Sequence, residues 1–142
     1  MKITLMFLLS ILLGKSCETE QEIESAIIEY TANTRGFYER ITITNRQAKV
    51  SADRNAQDAP KVVKISEADW NSLVAAFKKV NLDEVSTLEA PSNARFHDGA
   101  AIAMLQIKIN DKTYTTPEFD HGNPPAAIKG LMSEISKYAT RK

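Results

Sequence analysis

The chain is poor in the residues that carry covalent or metal chemistry: among its 142 residues there are one cysteine, Cys17, and two histidines. A single thiol makes no internal disulfide, so the fold has to rest on burial of apolar surface. Charge of one sign is also missing. The 18 Lys and Arg balance the 18 Asp and Glu and are dispersed, leaving no basic surface to neutralise phosphates and excluding nucleic acid as a partner. No apolar run reaches the roughly 20 residues that span hydrocarbon. The sequence also lacks a Ser or Cys nucleophile motif, a Gly-rich phosphate loop and a paired-cysteine metal site, so no cofactor is expected. What is present, 43% hydrophobic and 25% charged residues, is the composition of one globular domain.

The N-terminus has the layout of a secretory signal over residues 1–16. Lys2 supplies the positive start, Ile3 to Leu13 is apolar apart from Thr4 and Ser10, and Gly14 and Ser16 are small residues at alternate positions before Cys17. A general signal peptidase and a lipoprotein peptidase would both cut between Ser16 and Cys17. Loss of Lys2 and Lys15 leaves 16 basic against 18 acidic side chains, a net charge of −2. Cys17 then becomes the first residue and the expected site of lipid attachment, which gives the chain a membrane partner. The alternative is a free or intermolecularly paired thiol in a soluble exported protein. After it, Glu18-Thr19-Glu20-Gln21-Glu22 has little to bury, and residues 17–24 are expected to form an acidic, solvated tether. Gly14 and Lys15 depart from the usual lipobox, and this looser form followed by an acidic run resembles small envelope lipoproteins of the Bacteroidota. The resemblance implies anchorage at the outer membrane and display on its surface.

Residues 25–142 are expected to form a single α+β domain. A strand is predicted over Ser25 to Thr31. Phe37, Glu39, Ile41 and Ile43 alternate with Tyr38, Arg40, Thr42 and Thr44, and after Asn45-Arg46-Gln47 the alternation resumes through Ser51, which predicts a hairpin with one wet face. Lys61 to Ile65 reads as another short strand. Ser66 with Asp69 forms a variant capping box before the stripe Trp70, Leu73, Val74, Phe77 and Val80, the apolar face of a helix. A second hairpin turns at Asn110-Asp111 with Ile109 facing Lys112, and a last helix is predicted to open at Asn123-Pro124. The result is a two-layer antiparallel sheet of about five or six strands built from hairpins, with two helices on one face.

Both histidines stand beside Asp and Gly, as His97-Asp98-Gly99 and Asp120-His121-Gly122. The hairpin register puts Asp98 opposite Asn123 and Asp120 opposite Ala101, so the two motifs share the open end of the hairpin. Imidazoles and carboxylates in such a cluster suit a metal or a general acid and base, and Arg95 nearby suits an anion. Equally, these are ordinary turn residues. The candidate contact site is therefore Arg95, His97, Asp98, Asp120 and His121, and the wet face of Tyr38, Arg40, Thr42 and Thr44 with Lys49 and Ser51 offers a second surface, to a protein or glycan partner. The expectation is a lipid-anchored envelope binding or interaction module without catalysis. A small metal-binding protein or hydrolase using His97 and His121, and a structural envelope component, are the alternatives.

Overall fold

A computed structural model describes residues 14–139, with side chains from residue 20 onward; the expected signal therefore lies outside the described residues up to residue 13. The first helix, α1 (Gly14–Ser25), leads into β1 (Ile27–Thr34), β2 (Phe37–Thr44), β3 (Gln47–Ser51) and β4 (Lys61–Lys64). Helix α2 (Glu67–Lys78) follows, then 3-10 turns at Leu82–Thr87 and Ala94–His97, strands β5 (Ile102–Ile109), β6 (Lys112–Thr115) and β7 (Phe119–Asp120), and helix α3 (Lys129–Ser136). The strands form one antiparallel sheet in the order β4-β3-β2-β1-β5-β6, with β7 also paired to β5. Helices α2 and α3 pack against each other on one face, giving the two-layer α+β architecture.

Of the three two-residue hairpin turns, those joining β2 to β3 and β5 to β6 form where their residues permit left-handed backbone. Asn45 and Arg46 have φ of 50° and 58°, Asn110 and Asp111 have 48° and 62°, and two successive positive φ values match the right-handed strand twist. Alternation then sorts the side chains. Ile28, Tyr30, Ile41, Ile43, Leu105 and Ile107 are buried under the helices, while Tyr38, Arg40, Thr42 and Thr44 lie on the open face. There Arg40 Nε donates to the Tyr38 hydroxyl at 2.8 Å.

Ser66 caps α2, its hydroxyl accepting from Asp69 N at 3.2 Å. The reciprocal half of the expected box is absent: the Asp69 carboxylate turns instead to Lys137 on α3. Trp70, Leu73, Val74 and Phe77 face the sheet as the spacing requires. Arg46, from the β2–β3 turn, covers the Trp70 ring at 5.3 Å.

Three features differ from the sequence reading. The segment expected as a solvated tether is helical, because Glu and Gln are good helix formers and Ile23 inserts into the core at 2% exposure. Glu24 accepts from Arg46, and Glu22 from Asn110. The last helix starts at Lys129 after a 3-10 turn, Ala126–Ile128. Pro124 cannot open it, since a residue before proline is pushed out of the helical region and Pro125 itself is extended at ψ 143°.

The third difference is in the second hairpin. Ile109 does face Lys112, and the register holds through Gln106 and Thr115. Beyond it Ala103 faces Phe119 and Ile102 faces Asp120, so one extra residue is accommodated around Pro117. Proline has no N–H for the ladder and favours such a bulge. Thr116 bridges the break, its N–H donating to Leu105 O at 2.9 Å and its Oγ1 accepting from Leu105 N at 3.0 Å. A one-residue slip exchanges the two faces of a strand: Phe119 enters the core and Asp120 faces away from it.

The packing predicts that Phe77→Ala, which opens a large cavity between α2 and the sheet, lowers stability by about 3–5 kcal/mol in urea unfolding. A loss below about 1 kcal/mol would show that α2 does not supply the core in this way.

Candidate functional site

Asp120 is 2% exposed, and the backbone around it explains how a carboxylate is kept there. The loop before β5 bends so that four donors meet it: Ser92 Oγ at 2.5 Å, Ala94 N at 2.7 Å, Arg95 N at 3.0 Å and Arg95 Nη1 at 3.1 Å. Burial works to raise the pKa of this carboxyl. The bonds from Ser92, Arg95 and Ala94 outweigh it and hold the group well below the usual carboxylate range. Arg95 also donates to Ser92 O at 2.8 Å and lies over the Phe96 ring at 4.3 Å. The Arg95 guanidinium, expected to be available to an external anion, is thus held by an internal one.

The same strand then turns on itself. Asn123 N donates to Asp120 O at 2.9 Å, His121 N donates to Ala101 O at 2.9 Å, and Gly122 sits at φ 87°, a conformation that fits glycine at the third position of a type II turn. His121 is therefore on the core side, one residue after a carboxylate on the other side. Its Nδ1 lies 2.5 Å from the Tyr30 hydroxyl, and its ring contacts those of Tyr30 and Phe37 at centroid distances of 6.1 and 5.3 Å. Burial, and secondarily the charge of Glu39, push the Tyr30 pKa far above its ordinary value. With the Tyr30 hydroxyl as the donor of this bond, His121 is the tautomer with its hydrogen on Nε2.

Beneath His121 is a pocket of about 340 Å³ between the sheet and α3, lined by Tyr30, Glu39, Phe119, Pro124, Lys129 and Met132 among others. Its inner wall is Glu39, 2% exposed, Tyr30, 3%, and Phe119, 1%. His121 and Lys129 are exposed at its rim. A larger hollow of about 730 Å³ at the β3–β4 edge includes Asp53 and Lys137, but their polar atoms are engaged: Asp53 accepts from Asn55, Gln57 and Asp58 backbone, and Lys137 pairs with Glu134 and Asp69.

The five residues named from sequence thus separate into distinct settings. Arg95 and Asp120 form a buried ion pair, His121 belongs to the pocket, and His97 and Asp98 are exposed at the end of a 3-10 turn with Asp98 at φ 57°. Asp98 is not opposite Asn123, because the bulge and the 3-10 turn replace the extended ladder that register assumed. Among the described residues, no group of three or more His, Cys, Asp or Glu is arranged to hold a metal ion. Tyr30, Glu39 and Lys129 were not singled out by sequence. Glu39 carried a signal, a charged residue in the apolar phase of β2.

The site and helix α1 lie toward opposite ends of the sheet. Helix α1 reaches the β2–β3 and β5–β6 turns through Glu24 and Glu22. His121 lies beyond the other end of β5, and β1 between the two ends spans eight residues, roughly 25 Å. Among the described residues, no helix is long and apolar enough to cross a membrane. The chain matches no protein-family model, no curated protein and no solved structure.

The depressed Asp120 pKa makes an acid-stability prediction. A carboxyl whose folded pKa lies below its unfolded value of about 3.9 stabilises the fold fully above that value, and the contribution is lost as pH falls toward the folded pKa. Asp120→Asn is expected to have a clearly lower thermal midpoint than the unaltered chain at pH 7, with the difference shrinking below about pH 4. A difference unchanged between pH 7 and pH 2 would contradict the assignment of the carboxylate as the stabilising form.

Proposed function

We propose that the chain is an exported, lipid-anchored binding module of the cell envelope, and that the pocket beneath His121 is its ligand site. The observation that carries the reading is the pocket itself: apolar walls from Phe119, Pro124 and Met132 with a few converging polar groups from Tyr30, Glu39, His121 and Lys129, the make-up of small-molecule sites. Support for anchorage comes from the signal pattern before Cys17 and the absence of another cysteine. An anchor at Cys17 would leave the pocket toward the end of the domain facing away from the membrane, free to meet solutes or an envelope partner. Binding rather than catalysis is favoured because His121 Nδ1 is occupied by Tyr30 and Ser136, one of the two serines lining the pocket, donates to Met132 O at 2.7 Å, so these two do not form a nucleophile and base pair.

Two measurements test this. Expressed in a lipoprotein-processing bacterium, the chain is expected to partition into the detergent phase and Cys17→Ala into the aqueous phase, because the remaining helix is acidic and binds lipid poorly; equal partitioning would remove the anchor. A small-fragment screen read by NMR on the mature chain is expected to shift resonances of Tyr30, Phe119, His121 and Met132. A screen whose hits all fall elsewhere would remove the pocket as the ligand site.

A further inference from the structure

The sheet ends on one side at β4, which pairs with β3 alone. Ile65 N donates to Arg46 O at 2.9 Å in the same register, and hydrogen-bonding direction alternates along an antiparallel strand. Lys61 and Val63 therefore turn their backbone groups to β3, while Val62 and Lys64 turn both N–H and C=O to the free edge. Val62 also exposes its side chain, at 53%, on the open face. On the other face, the hollow of about 730 Å³ lies between this edge and the residues after α3, with walls from Val50, Val63, Tyr138 and Ala139. Its Asp53 and Lys137 are satisfied internally, and Lys61 and Asp58, both exposed, carry opposite signs. The hollow therefore suits an apolar side chain. The open-face side chains of β3 and β4 carry charge of one sign only: Lys64, and Lys49 opposite Val62. Both are exposed and have no ion-pair partner among the described residues.

We propose that the β4 edge is a docking strand for an extended, acidic segment of a partner protein, which adds to the sheet antiparallel to β4. The outward backbone groups of Val62 and Lys64 pair with two residues of that segment, and side chains along a strand alternate between faces. The residue between those two is consequently directed to the hollow, where Val50 and Val63 receive an apolar side chain. The residues opposite Val62 and Lys64 lie on the open face, where Lys64 and Lys49 select an acid. A second copy of the chain is disfavoured as the occupant, since joining two β4 strands gathers Lys61 and Lys64 of each into one short ribbon. The inference does not depend on the pocket beneath His121.

The test uses the mature chain and the peptide acetyl-Gly-Glu-Val-Glu-Val-Glu-Gly-amide, against the same peptide with Lys in place of each Glu. NMR titration with the acidic peptide is expected to shift the Val62 and Lys64 amides and to slow their hydrogen exchange, and the lysine peptide is expected to bind about tenfold or more weakly. Val62→Pro removes an N–H that β3 does not use, a change an edge strand tolerates. With its thermal midpoint retained, that variant is expected to bind the acidic peptide about tenfold more weakly, the scale of one lost backbone hydrogen bond. Lys64→Glu, an exposed change, is expected to weaken the acidic peptide and strengthen the lysine one. Equal binding of the two peptides, binding indifferent to Val62→Pro in a folded variant, or no shift at Val62 and Lys64 with either peptide would overturn the proposal. Should Val62→Pro fail to fold, Lys64→Glu decides alone, and unchanged affinities for both peptides overturn it. A chain that dimerises in sedimentation and becomes monomeric on Val62→Pro would also overturn it, by giving the edge to a second copy.

Discussion

Four donors converge on the Asp120 carboxylate, and the arrangement of the site follows from that convergence. A charge at 2% exposure is tolerated only when its hydrogen bonds replace water, so the 92–95 loop has to fold over it. Asn123 donates to Ser92 Oγ at 2.8 Å, which ties the far side of the turn to the same loop. Between Asp120 and Asn123 the backbone has one short path, and His121 is the residue it presents to Tyr30. A clamp on one side of the strand therefore sets the position of an imidazole on the other.

The clamp depends in turn on the bulge at Pro117. In an unbroken hairpin register Glu118 would face Ala103 in the core and Phe119 would face outward. The extra residue reverses this, so Phe119 becomes an inner wall of the pocket, Asp120 meets its donors, and His121 returns to the core side. A single proline that cannot donate to the ladder thus separates a plain hairpin from one that carries a pocket.

Local chemistry made much of the fold legible in advance. Asn45-Arg46 and Asn110-Asp111 announced their turns, Ser66 its cap, and the spacing of Trp70, Leu73, Val74 and Phe77 its buried face. These signals lie within a few residues of what they specify. The pairing of β1 with β5 joins residues 69 to 81 apart along the chain, and nothing in either strand names its partner. The helical start was hidden because one apolar residue, Ile23, among acids reads as solvated until the core offers it a place. The site was half legible: His121 and Asp120 were named as one cluster, whereas their adjacency on a strand sends them to opposite faces. Glu39 in the apolar phase of β2 was the clue to the pocket, and its meaning depended on α3, which only tertiary packing brings near.

The central claim is that the Asp120 clamp holds His121 in one tautomer against Tyr30. Nitrogen-15 NMR of the His121 ring at neutral pH measures this directly. The account predicts an unprotonated Nδ1 and a protonated Nε2 in the unaltered chain, and a mixture of tautomers in the folded Asp120→Asn variant, where the turn is released. A mixture already present in the unaltered chain, or a ring unchanged by Asp120→Asn, would contradict it.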